Sequence, residues 1–358
     1  MTSEKVKIAL HVGADGTLPE YMKTYTAILD KNAIEYVIVD SSEPCFWESI
    51  KTVDIFIYRW AQYDHERQVA NTILPIIENN FKIKCFPDEL TSWLYDDKLR
   101  QQLLFQVRGL PIIPGSVVFD KKFAAKLVAS VQLPVIFKLR NGAASENVSL
   151  VKTRSNLEAL SNKMFTEGIK TKKIPGAVNI KNRSLLVRFS SILRSVALSL
   201  RYRLRLIPER SVNWQLEKDY LYLQHFLPGN PYDTRITVIG NRAFGFRRWA
   251  RDGDFRASGS GKIDYDLAGI DLEFIKQAFA ISKEMNFSCM AYDFLYGESG
   301  EALVCEISYT FMDKPVFDCP GYWTENMEFV SGHYWPAYCI LSDLLPGHEL
   351  RSVDENLF

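Results

Sequence analysis

The stretch CMAYDFLYGESGEALVCEISY, residues 289–309, leaves the chain few ways to fold. Two apolar runs flank a turn built from Gly297, Glu298, Ser299 and Gly300, the pattern of an antiparallel hairpin. Each run carries one acid, Asp293 and Glu306, where strands usually hold core residues. Side chains alternate faces with period two. A turn centred between Glu298 and Ser299 sets Asp293 opposite Val304 and diagonal to Glu306, and diagonal Cα atoms lie roughly 7–8 Å apart. Ser308 follows on the face of Glu306. Two unpaired acids in apolar surroundings repel and lose hydration, so a positive group belongs between them. An all-oxygen set suits a hard cation such as Mg²⁺ rather than zinc. A wet face, or an arginine for each acid, would answer the same need.

With 358 residues the chain can bury a core for two or three subdomains. Its formal net charge is zero, which excludes a nucleic-acid binder working by overall electrostatics. Met1 is followed by the polar run TSEKVK, so no signal-peptide core is expected. No apolar run approaches the roughly 18 residues of a membrane span. Six cysteines without a CxxC pair read as free thiols of a reducing cytoplasm.

Along the chain, KIALHVG (7–13), EYVIVD (35–40), DIFIYRW (54–60) and IKCF (83–86) alternate with helical stretches near 19–32 and 64–80. That alternation predicts a small parallel sheet. The Gly13–Gly16 turn lacks the GxGxxG pattern and reads as a plain turn. From residue 96 the texture changes to α+β: a helix ending near Gly109, then strand, loop and strand over 134–151, and a strand at 220–230. A hairpin turning at Gly240-Asn241 and a helix over 271–286 complete it.

Lys138 closes the apolar run VIFK just before the small polar loop RNGAASENVS, whose amides can approach phosphate. FGFRRWARDGDFRAS brings Arg247, Arg248, Arg251 and Arg256, whose forks match phosphate and carboxylate oxygens. A lysine for phosphate, acids for metal and arginines for developing charge together suggest a nucleoside triphosphate site.

In this order the motifs resemble the ATP-grasp superfamily, within it the branch of the ribosomal-protein glutamate ligase, over about residues 90–315. The resemblance implies an ATP-grasp fold (residues 91–358) behind an N-terminal parallel βαβ pre-ATP-grasp domain (1–90). A lid would span about 112–226, with a basic insertion at 170–210, and a metal and acceptor part 227–358. DDKLRQQLLFQVRGLPIIP is similar to the opening helix of D-alanine–D-alanine ligases, which would put Lys98 on ATP. PVIFKL is similar to the strand whose lysine holds the α and β phosphates, here Lys138, with Gly142 in the clamping loop. LYLQHFLPGNPYDTRI resembles the adenine hinge, implying roles for Gln224, His225, Phe226, Asp233 and Arg235. The arginine stretch would set Arg248 and Arg256, with Arg235, at the reacting groups. YDFL and CEISY match the metal motif, implying Mg²⁺ on Asp293, Glu306 and Ser308. Two departures stand out: serine replaces the family's asparagine at 308, and the clamping loop keeps one glycine.

Residues 170–210 hold eleven Lys or Arg against one acid. As a helix at ~100° per residue, Leu185, Phe189, Ile192, Val196 and Leu200 form one stripe, with Arg183, Arg194, Arg201 and Arg205 opposite. Such a helix over 183–205 can lie on an anionic membrane, dock on an acidic partner, or pack on its own domain. Tyr322, Trp323, Tyr334, Trp335 and Tyr338 suit either core or sugar rings. The expected activity is an ATP- and Mg²⁺-dependent carboxylate–amine ligation through an acyl-phosphate. The expected acceptor is a small molecule or a cell-surface glycan or its precursor, handled in the cytoplasm or at the inner face of the membrane. An ATP-grasp kinase acting on a hydroxyl and a non-catalytic nucleotide-binding scaffold are the alternatives.

Overall fold

The computed structural model describes residues 6–142, 147–173 and 213–354. Strands β1 (Lys7–His11), β2 (Glu35–Val39), β3 (Ile55–Ile57) and β4 (Lys84–Phe86) form a parallel sheet in the order β2-β1-β3-β4. The helices between them are α1 (Lys23–Lys31), α2 (Phe46–Ile50) and α3 (Asp64–Asn80). This is the parallel sheet that the alternation predicts. Its Gly13–Gly16 turn is closed internally, since the Glu66 carboxylate accepts the Ala14 N–H at 2.7 Å.

Two helices lead onward, α4 (Glu89–Leu94) and α5 (Lys98–Arg108). Asp97 caps α5 by accepting the Arg100 N–H, and Gly109 ends it at φ +66°, a left-handed conformation suited to glycine. Strands β5 (Gly115–Val118), β6 (Val135–Lys138), β7 (Val148–Val151) and β10 (Leu221–His225) make an antiparallel sheet, ordered β5-β10-β6-β7. Helices α6 (Lys121–Ser130) and α7 (Arg154–Met164) accompany it, and β8 (Ile169–Lys173) pairs with β9 (Asn213–Glu217).

The remainder is one larger sheet. β11 (Tyr232–Ile239) and β12 (Arg242–Trp249) are joined by the two-residue turn Gly240-Asn241. Gly240 takes φ +56°, a left-handed conformation suited to glycine, and a side chain there would also displace the Asp343 carboxylate. β13 (Ile263–Asp264), β14 (Cys289–Tyr296), β15 (Ala302–Ser308), β16 (Gly321–Trp323) and β17 (Phe329–Ser331) complete it, with β15 at one edge beside β14. Helices α8 (Leu272–Met285), α9 (Asp313–Phe317) and α10 (Pro336–Leu344) pack around it.

The first and third sheets share one apolar core. Buried Tyr309, just past β15, packs on Trp60, Phe86 and Tyr95 and takes the Trp60 N–H on its hydroxyl at 3.0 Å. Trp323 and Trp335 are also buried, Trp335 stacked on Phe317, while Tyr322 and Tyr334 lean on Phe244. Of the two readings of these aromatics, core is the one the packing supports. Among the described residues no helix is long and apolar enough to cross a membrane. The basic stretch 183–205 lies outside the described residues.

Candidate active site

At Asp293 the hairpin register differs from the sequence expectation by two residues: the pairing centres on Ser299, which accounts for one, and a bulge in β15 accounts for the other. Asp293 pairs directly with Glu306 and Phe294 with Val304, so Cys305 is an extra residue on β15, a β-bulge. A bulge re-aims side chains and raises local twist. Here it puts both acids on one face as direct cross-strand neighbours, and it turns the Cys305 carbonyl towards Lys138 Nζ at 3.4 Å.

The same face continues inward across the sheet. Arg235 of β11 is the cross-strand partner of Asp293, and Asp233 is that of Arg248 on β12. Arg235 donates to both Asp293 oxygens, Nε at 2.7 Å and Nη2 at 2.9 Å. Arg248 donates to both Asp233 oxygens at 2.7 Å, and its Nη2 also lies 2.7 Å from Asp293 Oδ2. Burial alone would raise the Asp293 pKa; Arg235 and Arg248 overcome it and hold the carboxyl well below the usual range. Arginine pairing, one of the answers open to the sequence, is what Asp293 has.

Glu306 has a lysine. Lys98 Nζ lies 3.1 Å from Glu306 Oε1 and donates to the Gly142 carbonyl at 2.6 Å. Burial would lower the Lys98 pKa, but Glu306 and Asp96 outweigh it and raise it. The Gly142 N–H in turn donates to Asp96 Oδ1 at 2.9 Å, and Arg67 of α3 holds the other Asp96 oxygen at 2.7 Å. The loop's next residues, 143–146, lie outside the described residues.

Lys138 is different. It is 4% exposed, and its contacts are the Cys305 carbonyl, the Cys305 Sγ at 3.7 Å and the Tyr222 ring at 6.0 Å. Among the described residues it forms no ion pair. Asp233, Asp293 and Glu306 therefore face four cations, Arg235, Arg248, Lys98 and Lys138, and the unmatched one is Lys138.

No protein-family model and no curated relative matches the sequence. Solved structures do match in shape. The crystal structure of a RimK-domain ATP-grasp protein from Sphaerobacter thermophilus aligns over 96% of this chain and 100% of its own, with TM-score 0.54 and 13% identity. The VanG D-Ala:D-Ser ligase from Enterococcus faecalis aligns over 96% and 99%, with TM-score 0.55 and 16% identity. An N5-carboxyaminoimidazole ribonucleotide synthetase in complex with ADP aligns over 94% and 80%, with TM-score 0.53 and 9% identity. The chain has the ATP-grasp fold.

Within this ATP-grasp frame the remaining expected residues divide. The Ser308 hydroxyl donates to the Thr310 carbonyl at 2.6 Å, beside Glu306. The Gln224 side chain is committed inside the sheet: it is 1% exposed and donates to Gln102 Oε1 at 3.2 Å. The N–H of exposed His225 goes to the Pro114 carbonyl, and Phe226 meets Phe255 edge-on, joining the hinge to the loop after β12. In that loop Arg256 turns back on Asp254 at 2.6–3.0 Å, and the Asp293 cluster does not include it. Sequence reasoning overlooked Asp96, Gln101 and Gln102, all buried. Their signal was faint: acids and amides on the inward side of an otherwise apolar helix entrance.

Asp293, Glu306 and Ser308 offer only hard oxygen donors, the chemistry that Mg²⁺ takes. Among the described residues no three His, Cys, Asp or Glu side chains gather as a metal group, and both oxygens of Asp293 are held by arginine. The donor set fits the ion once Arg235 and Arg248 release Asp293.

Proposed function

We propose that the chain is an ATP-dependent carboxylate–amine ligase acting through an acyl-phosphate. The observation that carries this reading is Lys138, a buried ammonium that has no counter-charge among the described residues, in a cluster whose other charges are matched. An uncompensated buried charge is costly, and a phosphate oxygen is the anion that would relieve it. The neighbours named as ligases and synthetases support ligation over other uses of ATP.

In this reading Lys138 and Lys98 hold phosphate oxygens. Arg248 and Arg235 donate where negative charge grows as the substrate carboxylate attacks the γ-phosphate, and they go on to stabilise the acyl-phosphate and its tetrahedral successor. When bound by Asp293 and Glu306, with Ser308 beside them, Mg²⁺ would supply charge neutralisation at the transferring phosphoryl oxygens. The amine then attacks the acyl carbon and phosphate leaves. No side chain need form a covalent intermediate.

A glycan carboxylate as acceptor rests on the resemblance alone now that Trp323 and Trp335 belong to the core. Contact of residues 183–205 with an anionic membrane is a separate proposal, read by salt-sensitive binding to anionic vesicles. ADP release across a matrix of amino acids and uronic-acid glycans tests the main reading. Release that needs a carboxylate and an amine together, with an amide as product, is expected. A phosphoester product would make the chain a kinase, and tight ATP binding without acceptor-dependent release would make it a non-catalytic binder.

A further inference from the structure

We infer that Gln101, a residue outside the charged cluster, positions Glu306 and Ser308 by standing in for a missing neighbour strand. The inference rests on the ligase reading above. β15 is the edge of its sheet, so one side of its backbone has no strand to pair with. An edge that carries reactive groups must be covered or it will shift. At Val304 the cover is backbone: the Val304 N–H donates to the Pro111 carbonyl at 2.9 Å, and the Ile113 N–H donates to the Val304 carbonyl at 3.0 Å. At the bulge it is Lys138, on the Cys305 carbonyl. At Ile307 it is a single side chain. Gln101 Nε2 donates to the Ile307 carbonyl at 3.0 Å, and Gln101 Oε1 accepts the Ile307 N–H at 3.3 Å.

A primary amide carries one acceptor and two donors in a plane, so it can answer both groups of one strand residue. The second donor of Gln101 goes to the Leu94 carbonyl at 3.0 Å, at the end of α4, which fixes the amide's orientation. Gln101 is 3% exposed and its polar atoms are all engaged. It lies one turn after Lys98 on α5, so the first turn of this capped helix grips β15 at consecutive residues, Lys98 at Glu306 and Gln101 at Ile307. Glu306 and Ser308 flank Ile307 and share a face. Any slip of Ile307 moves both, while Asp293 on β14 stays put. Gln101 touches no reacting group; it acts through the Ile307 backbone.

The test uses the whole protein, a non-hydrolysable ATP analogue and Mn²⁺ followed by electron paramagnetic resonance. Gln101→Met keeps length and removes the amide. It should bind the analogue without metal within twofold of the wild type, and bind Mn²⁺ in the presence of the analogue at least tenfold more weakly, as Glu306→Gln should. Mn²⁺ affinity within twofold of the wild type, with Glu306→Gln impaired, overturns the positioning role and leaves the ligase reading standing. A wild type that binds neither analogue nor Mn²⁺ sinks that reading and this inference with it. Should Gln101→Met not fold, Gln101→Asn decides: it keeps the amide one carbon short of Ile307, so Mn²⁺ binding with the analogue should weaken at least tenfold while analogue binding without metal stays within twofold of the wild type. Mn²⁺ affinity within twofold of the wild type overturns the inference.

Discussion

Two buried charge clusters lie on either side of the end of β15, and they are built on opposite plans. At the seam with the parallel sheet, Arg59 reaches Asp313 at 2.7 and 2.9 Å, Thr310 at 3.2 Å and the Phe311 carbonyl, while Glu66 accepts the Ala14 and Ala61 N–H groups at 2.7 and 2.6 Å. There Arg59 has its counter-charge in Asp313, and each Glu66 oxygen has a backbone N–H. Across β6, β15, β14, β11 and β12 the second cluster has, among the described residues, one cation without an ion pair, Lys138. A closed cluster binds elements of the fold to each other. The open one leaves, among the described residues, a buried cation without a counter-charge, which the proposed phosphate would supply.

The sharpest break of this contrast is at the seam. Arg59→Met should cost about 3–5 kcal/mol in a denaturant titration, because it strands buried Asp313. ATP affinity of the folded protein should be unchanged. A wild-type midpoint would mean that the closed cluster does not hold the seam.

Lys138→Ala should do the reverse. It should weaken ATP binding tenfold or more, in line with roughly 1.5–3 kcal/mol for a charge-assisted contact, while relief of the buried charge offsets the uncovered Cys305 carbonyl, so stability should change far less than in Arg59→Met. Calorimetry showing equal affinity in a folded variant would remove Lys138 from the site.

Glu66 sharpens the comparison through pH. Burial raises its carboxyl to about 7 from 4.5, against the pull of the Ala61 and Ala14 N–H groups. Between these values the folded protein keeps a proton that the unfolded chain has lost. Its contribution is therefore fully present below pH 4.5 and is lost as pH rises through 7, on the order of 2–3 kcal/mol in all. Unfolding free energies at pH 5 and 8 should diverge between the wild type and Glu66→Gln by that order. Parallel profiles would show that Glu66 ionises freely in place.

The smallest effect is expected at Ser308→Asn, which puts beside Glu306 the asparagine of the metal motif that the sequence resembles, without adding charge. Turnover within about threefold of the wild type is expected. A hundredfold loss would show that the Ser308 bond to the Thr310 carbonyl is itself required.

Much of this was legible in the sequence because it is local. The parallel sheet follows from apolar runs alternating with helices, and α5 from Asp97 at one end and Gly109 at the other. Lys138, Asp293 and Glu306 are found as charges in apolar company, and Lys98 only through the resemblance of DDKLRQQLLFQVRGLPIIP to the opening helix of D-alanine–D-alanine ligases. Their partners are not found that way. The register that makes Asp293 face Glu306 depends on the Cys305 bulge, and the arginines reach Asp293 only because β11 lies between β14 and β12. This also reverses one expectation from the sequence. Removing the charge of Asp293 promised relief of buried repulsion; with Arg235 and Arg248 both on it, the loss would instead strand two guanidinium groups. Strand β5 and helix α6 escaped notice because a four-residue strand says little until its partner is known, and that partner, β10, comes a hundred residues later.

That late partner bears on how the protein is made. β10 sits between β5 and β6, yet it leaves the ribosome after both of them and after β7. From Lys138 to Leu221, at roughly 5–20 residues per second, takes about 4–17 seconds. The parallel sheet can close within its own stretch of nascent chain over that time, while β5 and β6 wait with unpaired inner edges. Slow translation before residue 221 would lengthen the wait, and a chain released there would keep both edges bare.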